Sequence, residues 1–236
     1  MSVAPAVPLR AFLLALVFLA VTGALLIWDL EHPARFFMIF TRPQWRSWLV
    51  RGAFIIGAYG VALVAHLALA WFWRPDSTIA TVGPVAGVLA LLTAVYTAYL
   101  FAQAKARDLW QSPLLPPHLL VQSLLAGAAV LLPVVEYLEP GSAGAFFLAV
   151  GVLNLLHLSM IAGEMTLTHG TAHARLAAAE MTHGRFRGWF WSGIALSAVG
   201  VLALWTGSQV ALVATLGGLF AFEHAYVQAG QAVPLS

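Results

Sequence analysis

"GWFWSGIALSAVGVLALWTGSQVALVATLGGLFAF", residues 188–222, runs for 35 residues without a charged side chain. An α-helix rises about 1.5 Å per residue, so one helix of this length would reach about 52 Å. The hydrocarbon core of a bilayer is about 30 Å thick. The run is therefore too long for a single crossing. The polar, turn-forming "TGSQ" at 206–209 divides it into two spans, about 188–206 and 209–227. The second of these has to continue past Glu223 and His224.

The same criterion, applied upstream, marks spans at about 10–28, 52–73, 79–103, 115–135 and 142–163. The expected fold is all-α: a polytopic membrane helical bundle of about seven transmembrane helices. The intervening loops are short and carry Pro, Gly and charge. None is long enough for a second folded domain, so residues 1–236 read as a single membrane domain. Composition agrees, with 61% hydrophobic and 8% charged residues, against roughly a quarter charged in a soluble domain. Small residues in "AAVL", "GIALSAVG" and "TLGGLFAF" suit close helix approach in lipid. The opening "MSVAPAVPLR" lacks a charged n-region and a convincing cleavage site, so the first helix is read as retained. There is no cysteine, which excludes disulfides, thiolate metal sites and iron–sulfur ligation within this chain. Eleven basic residues barely outnumber nine acidic ones, and nucleic acid is not an expected partner.

The charges are distributed unevenly. With seven spans, the loops on one side hold Arg35, Arg42, Arg46, Arg51, Lys105, Arg107, Arg175, Arg185 and Arg187, and the other side holds Arg10 and Arg74. The positive-inside rule places the first set in the cytoplasm and the N-terminus outside. Two readings of the arginines stand. They are topology anchors alone, or the proline-punctuated loop that also carries Asp29 and Glu31 docks a partner subunit or lends polarity to a ligand headgroup.

Polar residues inside spans are costly and mark candidate sites. Tyr59 and His66 share a face of the second helix. Thr93, Tyr96 and Gln103 share one of the third, and Asn154, His157 and Glu164 form a stripe on the fifth. Each has a plain packing alternative: an interfacial tyrosine belt for Tyr59, a hydrogen-bonded packing residue for His66, an interfacial anchor for Tyr96. The Glu164–His157 alignment suggests a proton relay. Bis-histidine haem would require two imidazoles facing each other at similar depth, and His66 and His157 are the candidates. Nucleophile-elbow, phosphate-loop and HExxH motifs do not occur, so a self-contained hydrolase is not expected.

The stretch "WDLEHPARFFMIFTRPQWRSWLVRGAF", residues 28–54, resembles the loop of NrfD-type membrane subunits of polysulfide reductase and related complex iron–sulfur molybdoenzymes. "VYTAYLFAQAKARDLWQSPLLPPHLLVQSLLAGAA" is similar to a further helix and loop of that family. "HLSMIAGEMTLTHGTAHARLAAAEMTHGRFRGWFW" and the ending "FEHAYVQAGQAVPLS" resemble its later acidic helix and terminus. The resemblance implies a quinone-interacting subunit without a redox centre of its own. It would exchange electrons with a four-cluster ferredoxin-like iron–sulfur subunit that serves a molybdopterin or other catalytic subunit. The family tyrosine that contacts quinone falls on Tyr96. "DLEHP" here departs from the family's "DLGRP": Glu31 and His32 change the charge of the turn, and Pro33 and Arg35 remain. The helix that usually comes first in the family, with a His and an Asn of the quinone site, has no counterpart in this sequence. A separate small membrane subunit or a start further upstream is expected to account for it.

Tyr96, His66, Asp29 and Arg35 are candidates for quinone binding, with His66 lacking family support. Arg42, Arg46, Arg51, Lys105 and Arg107 form a basic docking face. His157 and Glu164 are candidate proton-relay groups. The cofactor is a quinone, menaquinone or ubiquinone, with no metal or covalent group. The expected location is the cytoplasmic membrane of a bacterium or archaeon. A structural anchor without its own quinone site, a haem b-binding subunit and a proton-translocating subunit are the alternatives.

Overall fold

The computed structural model describes residues 6–73, 76–166 and 170–234. Arg74, residues 167–169 of the later acidic motif and the last two residues of the terminal motif lie outside them. The described residues form helices α1 (Ala6–Trp28), α2 (Met38–Thr41), α3 (Trp48–Ala68), α4 (Asp76–Ala102), α5 (Leu115–Leu138), α6 (Pro140–Thr166), α7 (Ala172–Thr182), α8 (Arg187–Val201), α9 (Ala203–Thr206) and α10 (Ser208–Ala232). A π-helical turn, Leu69–Trp73, extends α3. Among the described residues, six helices are long and apolar enough to cross a membrane: α1, α3 with its extension, α4, α5, α6 and α10.

The remaining span expected from sequence, 188–206, is a broken helix, α8 followed by α9. Its ladder slips at Leu202. The Trp205 N–H donates to the Leu202 carbonyl at 2.9 Å, so the Val201 carbonyl drops out of the α-helical series. That carbonyl instead faces Gly151 of α6, where a side chain would crowd it. The hairpin at "TGSQ" is present: Gly207 adopts φ +82°, a conformation that favours glycine. α10 then begins at Ser208 and carries Glu223 and His224 well inside it.

Hydropathy does not anticipate α7, because its 11 residues include His, Arg and Glu. It is defined by other signals. Thr171 caps it, its hydroxyl accepting from the Ala174 N–H at 3.1 Å, as a threonine at a helix start does. Ala174, Ala177 and Met181 bury one face at helical spacing.

The chain divides into two compact units, Met1–Leu100 and Phe101–Ser236. In the first, α1 packs on α3, and the segment between them is held by rings. Phe40 and Trp45 both meet Phe54 of α3, with ring centroids 5.3 and 4.8 Å away. In the second, α5, α6, α9 and α10 pack around Leu125, Ala129, Leu132, Val150, Ala203, Ala211 and Leu219. α8 and α10 approach so closely at Gly193 and Gly218 that a Cβ on either would meet the other's backbone. This is the small-residue packing used in lipid. Leu13, Val17 and Val21 on α1 and Leu155 and Leu156 on α6 point outward, as lipid-facing side chains do.

Candidate functional site

In the first unit, the proline–arginine segment folds over a cavity of about 160 Å³. Pro33 starts a 3-10 turn, Pro33–Arg35, and Phe36 follows it; its fixed φ suits a first helical position. Phe36 and Phe40 line the cavity with Ile27 of α1, Leu49 and Ala53 of α3, and Tyr96 of α4. Tyr96 is the one polar side chain among the described residues lining it. Its side chain is 7% exposed. One turn away, Tyr99 stacks on Trp48 with centroids 4.6 Å apart. The Arg51 guanidinium lies over the same Trp48 ring, 4.8 Å from its centroid, within the range of a cation–π contact. Arg51 Nε also donates to the Trp45 carbonyl at 2.7 Å. An apolar cavity of roughly 150 Å³ holds one benzene ring. The Tyr96 cavity therefore fits a single six-membered ring with a phenol at its wall.

The structure separates Tyr96 from His66. The Tyr96 ring rests against Gly52, near the start of α3, and His66 sits near the end of that helix. The two are about four helical turns apart, on the order of 20 Å. His66 stacks on Phe12 at 3.7 Å, and its Nδ1 has no hydrogen-bond partner among the described residues. Phe12 and Tyr59 line a different cavity, of about 220 Å³, with Leu63, Gly83 and Gly87. Asp29 and Arg35 are exposed and flank the cavity-lining stretch without lining it. Arg42, Arg46 and Arg51 are also exposed.

The second unit contains Lys105, which is exposed, and Arg107, which is not a free surface group. Arg107 Nη1 donates to the carbonyls of Gln231 and Val233 at 3.0 and 2.8 Å. It thereby holds the last carbonyls of α10, a favourable place for a cation. The Tyr226 hydroxyl donates to the Leu109 carbonyl at 2.9 Å and fastens the same segment from within.

The stripe on α6 faces inward, with Asn154 and His157 fully buried and Glu164 nearly so. His157 Nδ1 lies 2.8 Å from His118 Nε2 on α5. Both rings abut Phe222 of α10, at 5.2 and 5.4 Å between centroids. Glu223 lies beside Gln122, Glu164 lies beside Ser112, and Tyr226 is near both carboxyl groups. Asn154 Nδ2 donates to the Val150 carbonyl and Thr215 Oγ1 at 2.9 and 3.0 Å. His157 Nε2 and Asn154 Oδ1 have no hydrogen-bond partner among the described residues. Polar groups thus extend from Ser112 inward to Asn154, and the apolar Leu125–Leu132–Val150 core lies beyond them.

His118 and Gln122 are not among the residues singled out from sequence. A signal exists: His118, Gln122, Leu125, Ala129 and Leu132 follow helical spacing and form one inward stripe. The two histidines considered for haem belong to different units. His157 already has His118 within hydrogen-bond distance of one ring nitrogen, which leaves its Nε2 as the open position.

Fold and site together define a polytopic helical membrane protein with an apolar, phenol-bearing cavity in one unit and a buried polar chain in the other. The family model described as Polysulphide reductase, NrfD, matches residues 5–232, and the chain belongs to that family. Its members are membrane subunits of quinone-linked oxidoreductase complexes and generally partner with iron–sulfur and molybdopterin catalytic subunits. A search of curated proteins gave no match.

Proposed function

We propose that this chain exchanges electrons and protons between the quinone pool and a four-cluster ferredoxin-like iron–sulfur subunit, which in turn serves a molybdopterin or other catalytic subunit. The observation that carries this reading is the Tyr96 cavity. It is apolar, sized for one ring, and roofed by the segment that holds the exposed arginines. A quinone carbonyl needs a hydrogen-bond donor, and Tyr96 supplies one. Oxidation of a quinol releases two electrons and two protons; the electrons go to the partner's clusters and the protons leave through groups such as the Tyr96 hydroxyl. Ubiquinone and menaquinone both carry such a carbonyl; a cavity sized for one ring takes the benzoquinone ring of ubiquinone or the carbonyl-bearing ring of menaquinone's fused pair. Arg42, Arg46 and Arg51 offer the partner a cationic surface, and Asp29 and Arg35 shape the turn above the cavity. By the positive-inside rule we place these loops on the cytoplasmic side of a bacterial or archaeal membrane. The test is quinol-linked turnover of the assembled complex carrying Tyr96→Phe. Loss of turnover supports the site, and full turnover would favour a plain anchor whose quinone site lies in another subunit.

A second role has its own support in the buried chain of the second unit. We propose that His157 and Glu164, with His118, Gln122, Glu223 and Tyr226, accept and pass protons from the Ser112 end. Buried ionisable groups in a membrane bundle are expensive and mark proton paths. Glu164→Gln keeps the shape and removes the titrating group. We expect it to abolish proton uptake coupled to turnover while quinol oxidation continues. Proton uptake at the wild-type ratio in this variant would refute the relay.

A further inference from the structure

We propose that Gly52 is a positioning residue: it seats the Tyr96 ring so that the phenol faces the cavity at a fixed depth. The inference rests on the reading of that cavity as a quinone site. Gly52 is buried on the face of α3 that meets α4. A Cβ built there would strike Cδ2 and Cε2 of Tyr96 and come within 3.1 Å of Cζ, the atom that bears the hydroxyl. Three consecutive ring atoms therefore occupy the space a side chain would need. Ala53, the next residue, lines the cavity itself, as does Tyr96. Residues 52 and 53 thus provide, in turn, the seat for the ring and the wall beside it. The ring cannot accept a methyl group at residue 52 without sliding along α3, and any slide carries the hydroxyl with it.

Gly60, further along α3, provides the control. A Cβ there would meet a Leu19 methyl at 3.5 Å, an ordinary van der Waals contact. In the assembled complex, Gly52→Ala is expected to lower quinol-linked turnover by on the order of 10²-fold, the cost of a misplacement of about 1 Å. Electron delivery from an artificial reductant to the catalytic subunit should not change, and Gly60→Ala should behave as wild type in both assays. In a Tyr96→Phe background, which has no hydroxyl to misplace, Gly52→Ala should add little further loss. Where Gly52→Ala alone fails to assemble, Gly52→Ala/Tyr96→Ala should assemble as well as Tyr96→Ala, because the obstructing ring is gone. Wild-type turnover in Gly52→Ala, a loss that adds in full to that of Tyr96→Phe, or failure of the Tyr96→Ala pair to assemble would each overturn the proposal. Full turnover in Tyr96→Phe itself would instead remove the quinone reading on which the proposal stands.

Discussion

Tyr96→Phe should lower quinol-linked turnover of the assembled complex by about 10²-fold, the low end of what a positioned acid–base group contributes. The substitution removes one oxygen and keeps the ring that fills the space over Gly52. Helix packing in the first unit is therefore preserved, and the variant should assemble in normal amount. No other polar side chain among the described lining residues can replace the lost donor. The damage should therefore appear in the quinone reaction and not in stability. Two assays separate these outcomes: quinol oxidation by the whole complex, and reduction of the catalytic subunit by an artificial donor. A loss in both assays would point to failed assembly.

His157→Ala should destabilise the second unit by about 3 kcal/mol, combining an unsatisfied buried imidazole with the cavity left by the removed ring. His157 is fully buried and His118 is 3% exposed, so His118 Nε2 would lose its 2.8 Å partner with little access to water. Phe222, which packs against both rings, would face the gap. Replacing both members by apolar groups of similar shape is expected to cost much less, since no buried polar atom is then stranded. His118→Leu/His157→Leu should therefore be more stable than His157→Ala. Thermal unfolding in detergent, followed by retention of the assembled complex, measures both. A single variant as stable as wild type would show that the imidazole pair contributes nothing.

The membrane architecture was legible because uncharged runs longer than the bilayer is thick leave few alternatives. The boundaries were less so. α5 and α6 continue to Leu138 and Thr166, because a helix extends past its apolar core into interfacial residues that a hydropathy criterion trims. The slip at Leu202 leaves the Val201 carbonyl facing Gly151 of α6, a tertiary feature with no local signature. The Tyr96 cavity depends on residues from α1, the 29–47 segment, α3 and α4 meeting in space. Sequence singled out the tyrosine, through its face and through family resemblance, but not its surroundings. Arg107 read as one more basic loop residue, because its carbonyl partners lie at the far end of the chain. The His157–Glu164 stripe was visible from spacing alone, whereas the pairing of His118 with His157 joins two helices 39 residues apart in the chain and has no local signature.

The most direct test of the quinone site is covalent labelling of the assembled complex with a photoreactive quinone analogue, followed by mapping of the modified peptides. The account predicts label on the cavity wall, at Ala53, Ile56, Gly57 or Tyr96, and protection of these residues by excess quinone. Label confined to another subunit, or to residues of this chain outside that cavity, would contradict it.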